Sequence, residues 1–222
     1  MATLADVDRF VYNGRMTNRN LPGSAAVPAR TRIILKAHEL FYRDGIRATG
    51  IDRIIAEAGV TKVTFYRHFP GKNDLIKAYL EYRHELWISW FTEALHRHQS
   101  SRSQPVDNLL ATLKEWLQRD DFRGCAFINT VVEFDATLPE FLEIAQRHKL
   151  ELADTIADTL PASKHRRTDA QAMAMAIDGA IVRAQMDKSP AHALKLLERL
   201  LRPFSNHPTY AKPARPIVKG AR

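Results

Sequence analysis

The sequence has a single cysteine, Cys125, among its 222 residues. One thiol excludes an intramolecular disulfide and a zinc site built from several cysteines, and it fits the reducing environment of the cytoplasm. No apolar run approaches the ~20 residues that a membrane-spanning helix needs, and the N-terminus lacks the apolar stretch of a signal peptide. The sequence therefore predicts a cytoplasmic protein with no membrane partner.

Strand-like alternation and catalytic signatures are also absent. No glycine-rich phosphate loop, Ser/His/Asp arrangement or metal-ligand spacing occurs in the chain. We therefore predict an all-α protein of about nine helices that is not an enzyme and holds neither a cofactor nor a metal ion. One enzymatic alternative stays open, in which Cys125 is a nucleophile and His148 or His96 is its base.

Positive charge is concentrated in two parts of the chain. The formal net charge is +8, and residues 29–80 contribute +5 through ten bases and five acids. Residues 205–222 contribute +4 through four bases and no acid. A localised basic segment favours a polyanionic partner such as nucleic acid, although a basic field that serves only solubility gives the same count. Binding of RNA or DNA without sequence preference is a further alternative.

Breaks in the apolar pattern divide the chain into four segments. Residues 1–28 read as a flexible leader, residues 29–75 as three short helices, residues 76–204 as a larger helical domain, and residues 205–222 as a disordered basic tail with three prolines. Within the larger domain, helical spacing of apolar residues predicts a long helix that ends near His98. Five further helices are predicted near residues 106–119, 125–136, 138–160, 167–187 and 190–203.

The segment 29–75 has the pattern of a helix-turn-helix. Its first helix is expected to end at Asp44, where Gly45 can take a left-handed conformation, and Thr49 is expected to cap the second helix. Gly59 permits a tight turn, after which Thr61 can cap the third helix.

The third helix carries an unusual number of polar groups. Phe65 and Phe69 lie one turn apart and are expected to face the core. The other positions of the helix are left to face outward: Lys62, Val63, Thr64, Tyr66, Arg67 and His68. The outward groups are hydroxyls and cations that donate hydrogen bonds, as expected of a helix that enters the major groove of DNA.

Residues 30–80 resemble the DNA-binding domain of the TetR family of transcriptional regulators. The matching residues, in the family's order, are Phe41, Gly45, Thr49, Ile54, Ala58-Gly59-Val60-Thr61-Lys62, Phe65-Tyr66-Arg67-His68-Phe69, Lys72 and Leu75. The resemblance implies an all-α homodimer, with an N-terminal three-helix domain that binds a palindromic operator and a larger C-terminal helical domain that binds an inducer and dimerises. It also implies a repressor released by that inducer. Ile55 and Val63 depart from the alanine and glycine that many members carry there.

Ten residues are expected to contact DNA. Val63 can touch a thymine methyl group, and the hydroxyls and cations can reach phosphates or base edges. The set is Thr49, Arg53, Thr61, Lys62, Val63, Thr64, Tyr66, Arg67, His68 and Lys72.

The C-terminal domain is expected to dimerise and to hold a ligand. Residues 167–187 are apolar on nearly every face and residues 190–204 carry one leucine stripe, so these two helices are the predicted dimer interface, with packing inside one subunit as the alternative. An apolar or aromatic inducer is expected in a pocket lined by aromatic rings, with core filling as the alternative role of those rings. The pocket residues are Trp87, Trp90, Phe91, Trp116, Cys125, Phe127, Asn129 and Glu133.

Cys125 has two interpretations. It follows Gly124 at the predicted start of a helix, where unpaired backbone N–H groups and the neighbouring Arg123 favour a reactive thiolate, so it is a candidate sensor of oxidants or electrophiles. The alternative is a small buried apolar side chain, the usual state of a free cysteine.

Overall fold

The computed structural model describes residues 27–100, 103–134, 138–187 and 189–206. This described part contains nine α-helices and no strand, which confirms the all-α prediction. The helices are α1 (Ala29–Asp44), α2 (Ile51–Ala58), α3 (Lys62–His68), α4 (Lys72–His98), α5 (Pro105–Leu117), α6 (Ala126–Phe134), α7 (Pro139–Thr159), α8 (Arg166–Met186) and α9 (Pro190–Asn206). Most of the predicted leader and tail lies outside the described residues. No described helix has both the length and the apolarity needed to cross a bilayer.

Helices α1, α2 and α3 pack around one small core. The apolar face of α1, represented by Ile33 and Leu40, is buried against Ile54 of α2 and Phe65 of α3. Arg32 fastens α1 to the turn of the helix-turn-helix, because its guanidinium donates to the carbonyls of Ala58 (3.2 Å) and Gly59 (3.1 Å). These two bonds satisfy carbonyl groups at the end of α2, which have no partner within that helix.

The turn between α2 and α3 forms as the sequence predicts. Gly59 is left-handed at φ 62° and ψ 43°, and its N–H donates to the carbonyls of Ile55 and Ala56. The Thr61 hydroxyl accepts the N–H of Thr64 at 3.1 Å and caps α3, which confirms the predicted cap. The turn therefore sets the angle between α2 and α3.

Two predictions about the segment between α1 and α2 are corrected. Gly50, not Thr49, is the N-cap residue of α2, and no side chain caps that helix. Thr49 is instead fully buried, and its hydroxyl donates to the Gly45 carbonyl at 2.8 Å. Gly45 has a positive φ of 92°, but its ψ of 153° is extended rather than left-handed. The backbone at Gly45 is therefore more extended than the predicted helix end.

Helix α4 joins the two domains and packs against helices of both. Its first turns pack on α1, and further along it packs on α5, α6 and α7. Helices α8 and α9 pack against each other, while α7 and α5 cover their inner sides. The last helix continues to residue 206, past its predicted end at 203 and into the predicted tail, because Leu201 and Phe204 pack on the core and hold the final turn in place.

Helix α6 is fastened to the N-terminal domain at both of its ends. Before its first residue, the Tyr42 hydroxyl of α1 accepts the N–H of Arg123 (3.1 Å) and donates to the carbonyl of Gly124 (2.9 Å). At its last turn, the Glu133 carboxylate accepts the N–H groups of Ile46 (3.2 Å) and Arg47 (2.7 Å). Residues 45–47 are called the junction loop below.

Two buried histidines link the stability of the fold to pH. Burial, reinforced by Arg83, lowers the pKa of His38 from 6.5 to about 3, although Asp121 acts in the opposite direction. Burial also lowers the pKa of His148, reinforced by the charge of Lys149. Both side chains are neutral in the folded protein at pH 7, whereas the unfolded chain protonates them below their ordinary pKa.

The free energy of unfolding should therefore fall as the pH drops below about 6.5, by up to about 1.4 kcal/mol per pH unit for each histidine, and for His38 the loss should continue toward pH 3. Urea denaturation at pH 7.5, 6.5 and 5.5 measures this slope. His38→Asn should reduce the slope, and His192→Asn, which changes an exposed histidine, should not. Equal slopes in all three proteins would contradict the assignment to His38.

Candidate nucleic-acid interface and ligand-binding region

Helix α3 presents one face to solvent and packs its other face against the core of the domain. Val63 is 78% exposed and Tyr66 is 44% exposed, whereas Phe65 and Phe69 are buried beneath them. The Phe65 and Tyr66 rings are in edge contact with centroids 5.3 Å apart, so the buried ring also orients the exposed one. A seven-residue helix has little stability of its own, and its exposed face depends on these two phenylalanines.

The outward residues of α3 have the chemistry of a DNA-contacting surface. Thr61, Lys62 and Arg67 are exposed, while Thr64 and His68 are half-buried. The Lys62 ammonium lies 3.5 Å from Asp52 in an exposed pair, which is weak and leaves the lysine able to exchange that partner for a phosphate. Seven of the ten predicted DNA-contacting residues thus lie on or directly before one short helix.

The other three predicted contacts have different surroundings. Arg53 is exposed on α2 and pairs with Asp44 and Glu57, both at 2.9 Å. Thr49 has no exposed surface to offer to DNA, so it is removed from the predicted set. Its hydroxyl helps to shape the segment before α2.

Lys72, a predicted DNA contact, is half-buried and holds the junction loop. Its ammonium donates to the Ile46 carbonyl at 2.6 Å and lies 5.9 Å from the centre of the Phe41 ring. Partial burial lowers the pKa of Lys72, and the nearby Glu133 opposes that shift. An ammonium has three donors, so a phosphate contact by Lys72 remains a prediction alongside this internal bond.

The predicted aromatic pocket is a packed core. Trp87 stacks on Phe91 with centroids 4.8 Å apart and meets Trp116 edge-on at 5.2 Å; Trp90 and Phe127 are also buried. The cavity beside these rings measures about 10 Å³, the space of about one water molecule. These rings fill the interior, so the prediction of an inducer pocket among them is corrected.

Asn129 and Glu133, the two polar members of the predicted pocket apart from Cys125, lie at the domain junction instead. The Asn129 amide donates to the Arg123 carbonyl at 3.0 Å, and Glu133 binds the junction loop. Both residues border a cavity of about 240 Å³ between α1 and α6. The sequence could not indicate these roles, because Glu133 is 86 and 87 residues from the groups it binds.

Cys125 lies directly before α6 and is only 5% exposed. Its sulfur is 3.5 Å from the ammonium of Lys149, which is also paired with Asp178 at 2.5 Å. Burial alone would lower the pKa of Lys149, but the neighbouring Cys125 and Asp178 raise it, so the ammonium stays charged. The burial matches the interpretation of Cys125 as a core residue, and its role as a sensor stays a prediction.

A cavity that the sequence did not indicate lies between α6, α7 and α8. Its volume is about 680 Å³, and its walls are mainly aliphatic. Val131 and Val132 of α6, Leu150 of α7 and Met175 of α8 all line it and are exposed. Phe127 is the one residue of the predicted aromatic pocket that borders this space.

Comparison with known proteins agrees with this geometry. Residues 33–79 match the family model for bacterial regulatory proteins of the tetR family. The crystal structure of SCO4454, a TetR-family transcriptional regulator from Streptomyces coelicolor, is 30% identical in sequence and has a TM-score of 0.65, with 80% of this chain and 96% of that chain covered.

Two curated relatives are similar over shorter stretches. An HTH-type transcriptional regulator from the lacX 3′ region of Lactococcus lactis is 25% identical over 138 residues, which cover 60% of this chain and 68% of that protein. The HTH-type transcriptional activator FasR of Mycolicibacterium smegmatis is 32% identical over 75 residues, which cover 34% of each chain. The helix-turn-helix geometry and the similarity across nearly the full length of SCO4454 together show that this chain belongs to the TetR family and is a DNA-binding transcriptional regulator.

Proposed function

We propose that this protein is a homodimeric repressor that binds a palindromic operator and leaves it when a small molecule or an electrophile binds. The main support for an operator contact is that α3 has one buried and one exposed face. Phe65 is buried, while Val63 and Tyr66 face solvent. Within this face, Val63 is the expected contact to a thymine methyl group, and Arg67 and Lys62 are expected to bind phosphates or guanine.

The outer faces of α8 and α9 support the homodimer. Val182 and Met186 of α8 and Leu196 and Leu200 of α9 are exposed apolar side chains on two adjacent helices. Gly179, three residues before Val182 on α8, has open space where a side chain would be, so another helix can approach closely there. Two such helices from each subunit can form a four-helix bundle, and its two-fold axis would place the α3 helices about one DNA turn, roughly 34 Å, apart.

The junction between the domains supports release by a ligand. Helix α6 belongs to the C-terminal domain, yet its two ends are bonded to Tyr42 and to the junction loop of the DNA-binding domain. Movement of α6 would therefore change the position of α3 relative to its partner across the two-fold axis. Cys125 directly precedes α6, so an adduct on its sulfur would act on the same helix.

Operator selection from genomic fragments, followed by fluorescence anisotropy at several salt concentrations, tests the proposal. Arg67→Ala should weaken binding to every duplex and reduce the slope of log affinity against log salt by about one. Val63→Ala should leave that slope unchanged and lose about 1 kcal/mol of discrimination at one position of each half-site.

Arg97→Ala is the matched control for Arg67→Ala. Arg97 is an exposed arginine at the far end of α4, about 38 Å along that helix from its first turn, and its removal should leave DNA binding unchanged. An equal loss of DNA affinity in both arginine variants would mean that the overall positive charge of the protein, rather than a contact made by α3, determines binding. A protein that prefers no fragment would contradict the operator proposal.

A further inference from the structure

A closed ring of ion pairs joins α1 to α2. Six charged side chains of alternating sign are linked in this ring, with N···O distances between 2.6 and 3.7 Å. The ring runs through Lys36, Glu39, Arg43, Asp44, Arg53 and Glu57 and returns to Lys36. Its three cations and three anions cancel, so the ring adds no net charge to the DNA-binding domain. What it does is fix where each charge lies.

Arg53 is held from two sides within this ring. Its Nε lies 2.9 Å from Glu57, one turn further along α2, and its NH1 lies 2.9 Å from Asp44 at the end of α1. Because the two acids belong to different helices, the guanidinium cannot turn without breaking one of these pairs. A guanidinium has five N–H donors, and these two pairs leave donors for a further acceptor. The side chain is 46% exposed, so such an acceptor can reach it from solvent.

The two acids that hold Arg53 are themselves held. Asp44 accepts hydrogen bonds from both Nε and NH2 of Arg43, each at 2.8 Å, and the bond to Arg43 lowers the pKa of Asp44 to about 2. Glu57 lies 3.7 Å from the ammonium of the buried Lys36. A single exposed ion pair orders its partners poorly, whereas bidentate and networked pairs keep their geometry. The ring therefore gives Arg53 a defined orientation.

Arg53 lies beside the start of α3. Asp52, its neighbour in the first turn of α2, is 3.5 Å from Lys62, the first residue of α3. When the second helix of a helix-turn-helix enters the major groove, the first helix crosses the sugar-phosphate backbone. The first turn of α2, with Arg53, is thus placed where a backbone phosphate passes.

We propose that Asp44 and Glu57 are positioning residues for DNA binding, which hold the Arg53 guanidinium in place for a backbone phosphate. The inference rests on the proposed contact of α3 with DNA, and it gives two acids a part in binding a polyanion. Arginine binds phosphate with two parallel N–H donors, so the orientation of its plane matters. A side chain that is ordered before binding avoids the loss of affinity that ordering it on the DNA would cause.

Charge alone predicts the opposite effect of these acids. Asp44 and Glu57 are anions near the expected path of the phosphates, so their removal should strengthen DNA binding if only the electrostatic field mattered. If they position Arg53, their removal should weaken binding. The sign of the change therefore distinguishes the two explanations.

Fluorescence anisotropy with a duplex of arbitrary sequence at low salt tests the inference on the full chain. Glu57→Ala should weaken binding about threefold to tenfold, because Arg53 loses one of its two partners. Glu57→Gln keeps an acceptor for Arg53 Nε and should lie between this variant and the wild type. Both variants carry the same net charge, so a difference between them reports geometry. Phosphate contacts do not depend on sequence, so no operator needs to be known.

Asp52→Ala is the matched control. Asp52 is an exposed acid in the same helix, 87% exposed and outside the ring, and its removal should leave DNA affinity unchanged or slightly raise it. Urea denaturation of each variant shows whether the domain remains folded. Asp44→Asn acts on the other side of Arg53 and should weaken binding in the same direction, so the test does not depend on one substitution.

A double-mutant cycle separates an action through Arg53 from an independent one. Arg53→Gln should weaken binding and reduce the slope of log affinity against log salt by about one for each chain bound. In the Arg53→Gln background, Glu57→Ala should cause no further loss, because the group that it positions is gone.

Four results would overturn the inference. They are unchanged or tighter binding by Glu57→Ala, equal loss in the alanine and glutamine variants, losses that add in the double variant, and an unchanged salt slope in Arg53→Gln. A wild-type protein that binds no duplex would refute the proposed function together with this inference. A wild type that binds every duplex equally would refute only the operator, and the cycle would still decide the role of the acids.

Discussion

Replacing Phe65 by alanine should lower the free energy of unfolding by about 3–5 kcal/mol and abolish operator binding. Phe65 is fully buried, and its ring contacts Tyr66 and lies 6.0 Å from that of Phe69. Removal of the ring leaves a cavity beneath a helix of seven residues, which cannot persist without packing. One substitution therefore removes both core stability and the surface that is proposed to enter the major groove.

Urea denaturation and operator titration of the same preparations measure the two effects. Phe65→Leu keeps most of the buried volume and should lose markedly less stability, so it shows whether binding follows packing even if the alanine variant is poorly folded. Val63→Ala changes an exposed neighbour in α3 and should alter stability by no more than about 0.5 kcal/mol. If Phe65→Ala kept its stability within 1 kcal/mol of wild type, the ring would not be what holds α3.

Replacing Glu133 by alanine should lower the free energy of unfolding by about 2 kcal/mol and weaken operator binding about tenfold. The carboxylate accepts two backbone N–H groups, and hydrogen bonds to a charged group contribute roughly 1.5–3 kcal/mol when they are sheltered from water. The Arg47 N–H is exposed, so its bond contributes less than the bond from Ile46. Without the carboxylate, the N–H groups of Ile46 and Arg47 lose the acceptor that ties them to α6, while the bonds of Lys72 to the Ile46 carbonyl and of Thr49 to the Gly45 carbonyl remain.

Amide hydrogen exchange gives a direct readout at the loop itself. Exchange at Ile46 and Arg47 should accelerate in Glu133→Ala and should be intermediate in Glu133→Gln, which keeps one acceptor oxygen without the charge. Glu143→Ala removes an exposed glutamate from the neighbouring α7 and should change neither exchange nor operator binding. Unchanged exchange in Glu133→Ala would show that the two hydrogen bonds do not restrain the loop.

Local chemistry in the sequence was sufficient to predict the helices and the turn that carries α3. The limits of α4 and α7 follow from apolar spacing within a few residues, and Thr61 caps α3 because Gly59 turns the chain just before it. Thr49 shows where this reasoning ends. A threonine before a helix is a good cap by type, but here the Gly45 carbonyl takes its hydroxyl, and the chain path that allows this bond is set by tertiary packing.

The cavities were harder to predict than the helices, because apolar spacing indicates burial and does not distinguish a filled space from an empty one. Trp87 and Trp116 are as inward-facing as expected, yet they contact each other and leave no room. The cavity is lined instead by aliphatic residues such as Val131 and Leu150, whose sequence pattern is ordinary. Their exposure arises only from how α6, α7 and α8 are placed in three dimensions.

The double attachment of α6 has a consequence for engineering. A chimera that carries the first three helices of another TetR-family protein on this body replaces Tyr42 and the junction loop. It therefore loses their bonds to both ends of α6 unless the new segment supplies a hydroxyl at position 42 and a loop that fits Glu133. An exchange made at the start of α4 therefore needs matched residues at three separated places, 42, 46–47 and 133. Chimeric regulators built on this scaffold should fold when these positions are exchanged as one set.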